Sequence, residues 1–160
     1  YVKVTNGYED ASASGAEYPL QVMNPHYLRR AHSVFDNIGW LREAWTNPVF
    51  ISTADADAAG VSDGDTVLVS SPYGQCVRNA CVYAGLMPGV VALPHGAWVA
   101  VDEETGIDVA GADNCLTGPA PNGQGVSGYN SALCKIEKYT GEALAPDAEQ
   151  PLRIVCKDGE

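Results

Sequence analysis

Four residues that can carry positive charge or donate strong hydrogen bonds, His26, Arg29, Arg30 and His32, fall within seven positions of one another. The whole chain has only nine Lys and Arg, so this is its one concentrated place for an anion such as a phosphate or pyrophosphate. The same run could equally serve as a solvated loop pairing with some of the twenty acids. The residues alone leave both readings open. His26, His32 and His95 are the histidines, but their spacing does not order them on one helix or strand face as a metal triad requires. Asp55, Asp57, Asp63 and Asp65 invite a calcium reading. They lack the glycine and distal Glu of an EF-hand loop, and helix-start and turn roles account for all four. No nucleophile elbow, GxGxxG or Walker A pattern occurs, so an ordinary nucleotide fold has no support and no catalytic residue is assigned.

The five cysteines include no CxxC or Cys/His metal spacing. Cys76 and Cys81 stand five apart in one expected strand, so they point to opposite faces and neither chelate together nor bond to each other. Buried, reduced thiols are the expectation. Arg78 falls in the same strand and is expected on a solvated face.

The elements that must position these groups read as a turn-rich β protein. Tyr18–Met23 is the first expected strand, and residues 1–17 are a loose polar segment. Asn37–Trp45 reads as a helical turn or two, stopped before Asn47-Pro48. Val49–Ile51 is a β-branched run suited to a buried strand. Ser52 or Thr53 can cap the helix after it, and Gly60 can end that helix. Thr66–Ser70, a Ser71-Pro72-Tyr73-Gly74 turn and Gln75–Tyr83 form an expected hairpin. Val90–Trp98 is expected to hold another strand, and residues 133–139 the last one of the barrel. The Gly- and Asp-rich stretch 102–129 is long enough to suggest a functional loop. Residues 140–150 read as a linker and 152–156 as an added edge strand. The sum is a small closed barrel with a helix clipped on, at 160 residues one domain with a respectable core.

Composition narrows the partners. A net charge of −11 argues against a broad nucleic-acid or anionic-membrane surface. No apolar run approaches the roughly 20 residues of a membrane span. The chain does not start with Met and shows no signal-like start, which suggests a processed form or a piece of something longer.

Several blocks in fixed order carry a family resemblance. They are Pro19-Leu20-Gln21-Val22, His26-Tyr27, Arg30-x-His32-Ser33-x-Phe35 and Asn37-Ile38-x-Trp40-Leu41, then Asp55-Ala56, Gly60-Val61-x-Asp63-Gly64-Asp65 and Gly74-Gln75. Met87–Trp98 and Asn114-x-Leu116-Thr117 complete the set. Over residues 18–139 the chain resembles the C-terminal domain of the dimethyl sulfoxide reductase family of molybdoenzymes, in particular the anaerobic catalytic subunits. The resemblance implies a mainly β fold with short helices, a six-stranded double-psi β-barrel, with residues 1–17 and 140–160 as flanking segments. It implies a molybdopterin guanine dinucleotide cofactor, present as the molybdenum bis form in the parent enzyme. It assigns Arg30, His32 and Ser33 to pyrophosphate and pterin, with His26 in the same cluster. It assigns Asn37, Asn114 and Thr117 to the heterocycle or sugar, and His95 and Gly96 to a close backbone approach.

The parent chemistry implied is reduction of an S-oxide or N-oxide by oxygen-atom transfer. The expected partners are the remaining domains of the catalytic subunit and an iron–sulfur electron-transfer subunit, with no nucleic acid, no membrane insertion and no metal bound directly by this chain. The metal ligand belongs to domains this chain lacks, so alone it is expected to be inactive. Export and membrane association through partner subunits would be properties of the parent. Two other classes are a free-standing double-psi barrel acting as an interaction module, and a small decarboxylase-like barrel enzyme. The first would lack a dinucleotide pocket; the second should show a processing or nucleophilic residue, and none is found.

Overall fold

The computed structural model describes residues 3, 6–121, 123–126, 128 and 131–141. Six strands close into a barrel: β1 (Leu20–Met23), β2 (Pro48–Ile51), β3 (Thr66–Ser70), β4 (Gln75–Val82), β5 (Val90–Ala92) and β6 (Leu133–Lys138). Around the barrel they run β1-β5-β2-β4-β3-β6. β1 pairs parallel with β5 and β2 parallel with β4; the other pairings are antiparallel. Two parallel pairs joined through neighbours that are not consecutive in the chain give the double-psi arrangement.

Three short helices decorate it: α1 (Tyr8–Ala11), α2 (Gly39–Ala44) and α3 (Thr53–Ala59). α3 has the expected ends. The Ser52 hydroxyl accepts the Asp55 N–H at 3.1 Å, and Gly60 closes the helix in the left-handed region at φ 65°. The Ser71–Gly74 turn joins β3 to β4, with the Ser71 N–H bonded to the Gly74 carbonyl at 2.9 Å.

The other expectations are met less evenly. α1 lies in the segment expected to be loose; the Asp10 carboxylate accepts the Gly7 N–H at its start, and Ala11 at its end is buried. β5 stops at Ala92, and Leu93–Trp98 continues as irregular backbone. The edge strand expected at 152–156 lies outside the described residues. The stretch from residue 102 is no loose connection. It carries a short 3-10 helix (Asp113–Leu116) and buries Asp108, Ala110, Ala112, Asp113 and Leu116 against the barrel.

The core is mainly Val and Ile from the strands, among them Val49, Ile51, Val67, Val69 and Val91, capped by Leu93 and Leu116. Each buried aliphatic contributes roughly 1.5–3 kcal/mol by leaving water. Among the described residues, no helix is long and apolar enough to cross a membrane.

Cys76 and Cys134 join this core as free thiols, while Cys81 and Cys115 are half-buried. Burial pushes Cys76 up to about 12 and raises Cys134 as well. In the unfolded chain these thiols ionise near pH 8.5, whereas in the fold they stay protonated. Each therefore favours folding fully below that pH and loses its contribution as pH rises toward the folded value. Stability measured by denaturant unfolding is expected to fall above about pH 8.5, by roughly 1.4 kcal/mol per pH unit per thiol. A Cys76→Ala/Cys134→Ala variant should flatten this slope. An equal slope in both proteins would contradict the assignment.

Candidate functional site

Met23 and Ala92 are register partners at the ends of the parallel strands β1 and β5, so the segments that follow them leave the barrel side by side. Phe50 pairs with Ala92, which brings Asn47 and the start of β2 to the same end. One end of the barrel thus gathers residues 24–37, Asn47, 93–98 and 110–117. The ends of parallel strands are where ligands commonly bind, because loops diverge there.

The histidines that sequence spacing did not unite are brought together here. His95 Nε2 lies 3.1 Å from His32 Nδ1, and the His26 ring sits edge-on at 4.6 Å from His95 and 5.3 Å from His32 between centroids. His95 Nδ1 faces the Asn24 carbonyl at 3.4 Å. If that nitrogen donates, Nε2 is left to accept from His32, which fixes both tautomers. His26 and His32 are exposed and His95 half-buried. Among the described residues, no group of three or more His, Cys, Asp or Glu side chains could hold a metal ion.

The arginines do something different. Arg29 and Arg30 each reach Asp36 Oδ1 at 2.8 Å, and all three side chains are buried. Arg30 Nε donates to the His95 carbonyl at 3.2 Å, and its Nη2 to Asn47 Oδ1 at 2.9 Å and the Pro94 carbonyl at 3.2 Å. Arg30 thus faces inward and holds the backbone on which His95 is mounted. Arg29 donates to the Trp45 carbonyl at 3.2 Å; burial lowers it to about 10, opposed by the Asp36 carboxylate, so it remains a cation at neutral pH.

Arg78 is a correction. It is not on a solvated face but fully buried, donating to the carbonyls of Gly111 at 2.8 Å and of Pro48 and Pro94 at 2.9 Å. Desolvation lowers it, and the Cys76 thiol, Asp113 and Asp108 work in the opposite sense.

Gly96 sits at φ 92°, and a Cβ there would lie 1.9 Å from the His32 carbonyl oxygen. The close approach it permits in this structure is between its own strand exit and the His32 turn, which is what lets the two imidazoles meet. Asp113 ties the same place together, accepting the Gly96 N–H at 3.2 Å and the Asn24 side-chain amide at 3.0 Å. Asn24 Oδ1 is buried with no donor among the described residues. On the neighbouring 3-10 helix Asn114 is exposed, and the Thr117 hydroxyl donates to the Asn114 carbonyl at 3.0 Å. Ser33 is exposed and its carbonyl accepts the Trp98 indole N–H at 3.0 Å. Asn37, next to Asp36 in the chain, is exposed and in no described hydrogen bond with this group.

Asp36, Asn47, Asp113 and Asn24 are the positioning residues that spacing missed. A signal was present for Asp36, the lone acid between Arg29 and Glu43, and for Asp113, directly before the Asn114 motif.

Residues 20–132 match the family model described as a molydopterin dinucleotide binding domain, and the chain belongs to that family. It is 38% identical over 124 residues to the "Probable dimethyl sulfoxide reductase chain YnfF" of Escherichia coli, covering 76% of this chain and 15% of that one. It is 35% identical over 151 residues to the "Trimethylamine-N-oxide reductase" of Haemophilus influenzae, covering 86% of this chain and 18% of the relative. The chain therefore spans less than a fifth of these relatives' length. Among solved structures, acetylene hydratase from Pelobacter acetylenicus shares the fold, with a TM-score of 0.64 over 87% of this chain and 21% of that one at 22% identity.

The donor set fits such a dinucleotide. Imidazoles, a hydroxyl and side-chain amides face outward around irregular backbone, as edge recognition of a heterocycle and contact to a diphosphate require. The orphaned Asn24 oxygen is an acceptor suited to an N–H of the same ligand class.

Proposed function

We propose that this chain is the cofactor-holding barrel of a larger molybdenum oxidoreductase, and that the cofactor is molybdopterin guanine dinucleotide, in the bis form in the complete enzyme. The observation that carries this reading is the meeting of His26, His32 and His95 at one barrel end, beside Asn114 and Thr117, inside the family match. His32, His95 and Ser33 meet the diphosphate and pterin, with His26 beside them. Asn114, Thr117 and Asn37 read heterocycle or sugar edges. Arg30 acts one layer further in, as the residue that fixes the Pro94 and His95 carbonyls. When bound, the cofactor supplies the two-electron chemistry of oxygen-atom transfer from an S-oxide or N-oxide; this chain supplies orientation and shields one side from water. The remaining domains of the catalytic subunit and an iron–sulfur electron-transfer subunit complete the assembly.

The test is metal and nucleotide content per purified full-length parent, with folding checked by thermal melting. A lost hydrogen bond to a charged phosphate is worth roughly 1.5–3 kcal/mol, so His32→Ala and His95→Ala are each expected to weaken retention by about one to two orders of magnitude. Tyr83→Ala is the control, since Tyr83 is exposed at the opposite barrel end, beside Ile51. Equal molybdenum and guanine content in all folded variants would remove the histidines from the site.

A further inference from the structure

The loop that covers the first half of β4 carries an open strand edge. Asp108 bridges Cys76 on one side and Val101 on the other, so residues 107–109 and 99–102 form a hairpin laid against β4. The Val109 N–H bonds to the Ala100 carbonyl, the Asp102 N–H to the Ile107 carbonyl and the Ala100 N–H to the Asp108 carboxylate. Ala100 and Asp102 thus turn their peptide groups inward, and Val99 and Val101 turn theirs outward. Among the described residues, neither the N–H nor the C=O of Val99 or Val101 is hydrogen-bonded. Their side chains share one face of the edge and are 56 and 51% exposed. An unpaired edge with β-branched side chains is a template for one more strand. The turn at its end is acidic, with Asp102, Glu103 and Glu104 in succession.

We propose that residues 152–157 of this same chain, which lie outside the described residues, add to this edge as a strand. The run Leu152-Arg153-Ile154-Val155-Cys156-Lys157 holds β-branched residues at its centre and a base near each end. Paired with the edge, Leu152, Ile154 and Cys156 fall on the face of Val99 and Val101, and Arg153 and Lys157 on that of Asp102. Either strand direction therefore brings one base beside the acidic turn. The chain is long enough to get there. Among the described residues Tyr139 is the last one bonded to the barrel, through the Thr66 carbonyl. From there to the new strand, five strand spacings across and three residues along make roughly 26 Å. The twelve residues 140–151 extend to about 40 Å. Residues 20–132 carry the family match, and the run is a separate extension of the barrel. Its strand braces the hairpin whose ends reach the histidine end, Trp98 by its bond to Asp36 and Ala110 by its bond to Asn47.

The seat requires no cofactor, so amide hydrogen exchange followed by NMR tests it on the 160-residue chain. The comparisons are the chain ended at Gly141 and the double variant Ile154→Pro/Val155→Pro, which removes an N–H from each side of the run and keeps its length. In the intact chain the Val99 and Val101 N–H groups are expected to exchange about tenfold or more slowly than in either comparison. Cross-strand NOEs should join them to residues 152–157. The Val69 N–H, inside the barrel, stays slow in all three and reports that each is folded. A peptide of residues 150–160 added to the shortened chain restores the protection. Equal exchange at Val99 and Val101 in the folded proteins overturns the proposal, as do NOEs from 152–157 to β6 in place of the hairpin. Protection that persists in the shortened chain and grows with concentration assigns the edge to a second copy and overturns it as well. Should the shortened chain not fold, the double proline variant decides alone.

Discussion

Arg78→Ala is expected to remove a large part of the stability of this fold. The side chain is buried, and its three donating nitrogens reach the carbonyls of Pro48, Pro94 and Gly111. Those carbonyls belong to the start of β2, the exit from β5 and the covering loop, three segments that touch one another through this guanidinium. Truncation leaves three buried acceptors without donors, each costing roughly 1–3 kcal/mol. It also removes the buried positive charge that lies near Asp113 and Asp108. The total, roughly 3–5 kcal/mol or more, compares with about 5–15 kcal/mol for a whole domain. Arg78→Lys keeps the charge but cannot span three acceptors, so it should fall between the two. The measurement is the denaturant midpoint of the purified chain and both variants. A shift in Arg78→Ala of under about 1 kcal/mol, the scale of an exposed side chain, would show that the three bonds carry no weight.

Arg78 also shows where strand reasoning stops. Alternation predicts one face in and one face out, yet Cys76, Val77 and Arg78 are all buried in succession. β2 pairs with β4 only from Asn79 onward, so the first half of β4 has an open side. Residue 108 fills it, donating to the Gln75 carbonyl and accepting the Val77 N–H, and the loop covers the outer face. A contact between residues thirty positions apart leaves no trace in the periodicity of either segment. The capped α3, the β3–β4 hairpin and β6 were legible because their signals are local: a Ser at one end and a Gly at the other, a Pro-containing turn, a two-residue alternation. At the site, residue types were legible and roles were not. Clustered charge drew attention to the 26–32 run, but whether a cation faces outward or inward depended on Asp36 folding back beneath it.

Asp36→Asn is the sharpest test of that inward reading. One carboxylate oxygen takes both Arg29 and Arg30, and the other accepts the Trp98 N–H at 3.0 Å. The amide keeps nearly the same shape and one acceptor, so a loss reflects charge rather than packing. Two buried guanidiniums then lose the charge of this shared carboxylate, and removing one member of a buried pair costs roughly 3–5 kcal/mol. For a chain of this length that lowers the melting temperature by about 6–20 °C. The effect should also reach the histidines, because Arg30 joins Asp36 to the His95 carbonyl and Trp98 joins it to Ser33. Imidazole NMR signals of His32 and His95 are therefore expected to shift or broaden below the melting transition, while the Tyr83 ring signals at the far end stay in place. A melting temperature within 2 °C of the unsubstituted chain, about what 1 kcal/mol or less produces, together with unchanged imidazole signals, would show that Asp36 neither compensates the arginines nor positions the site.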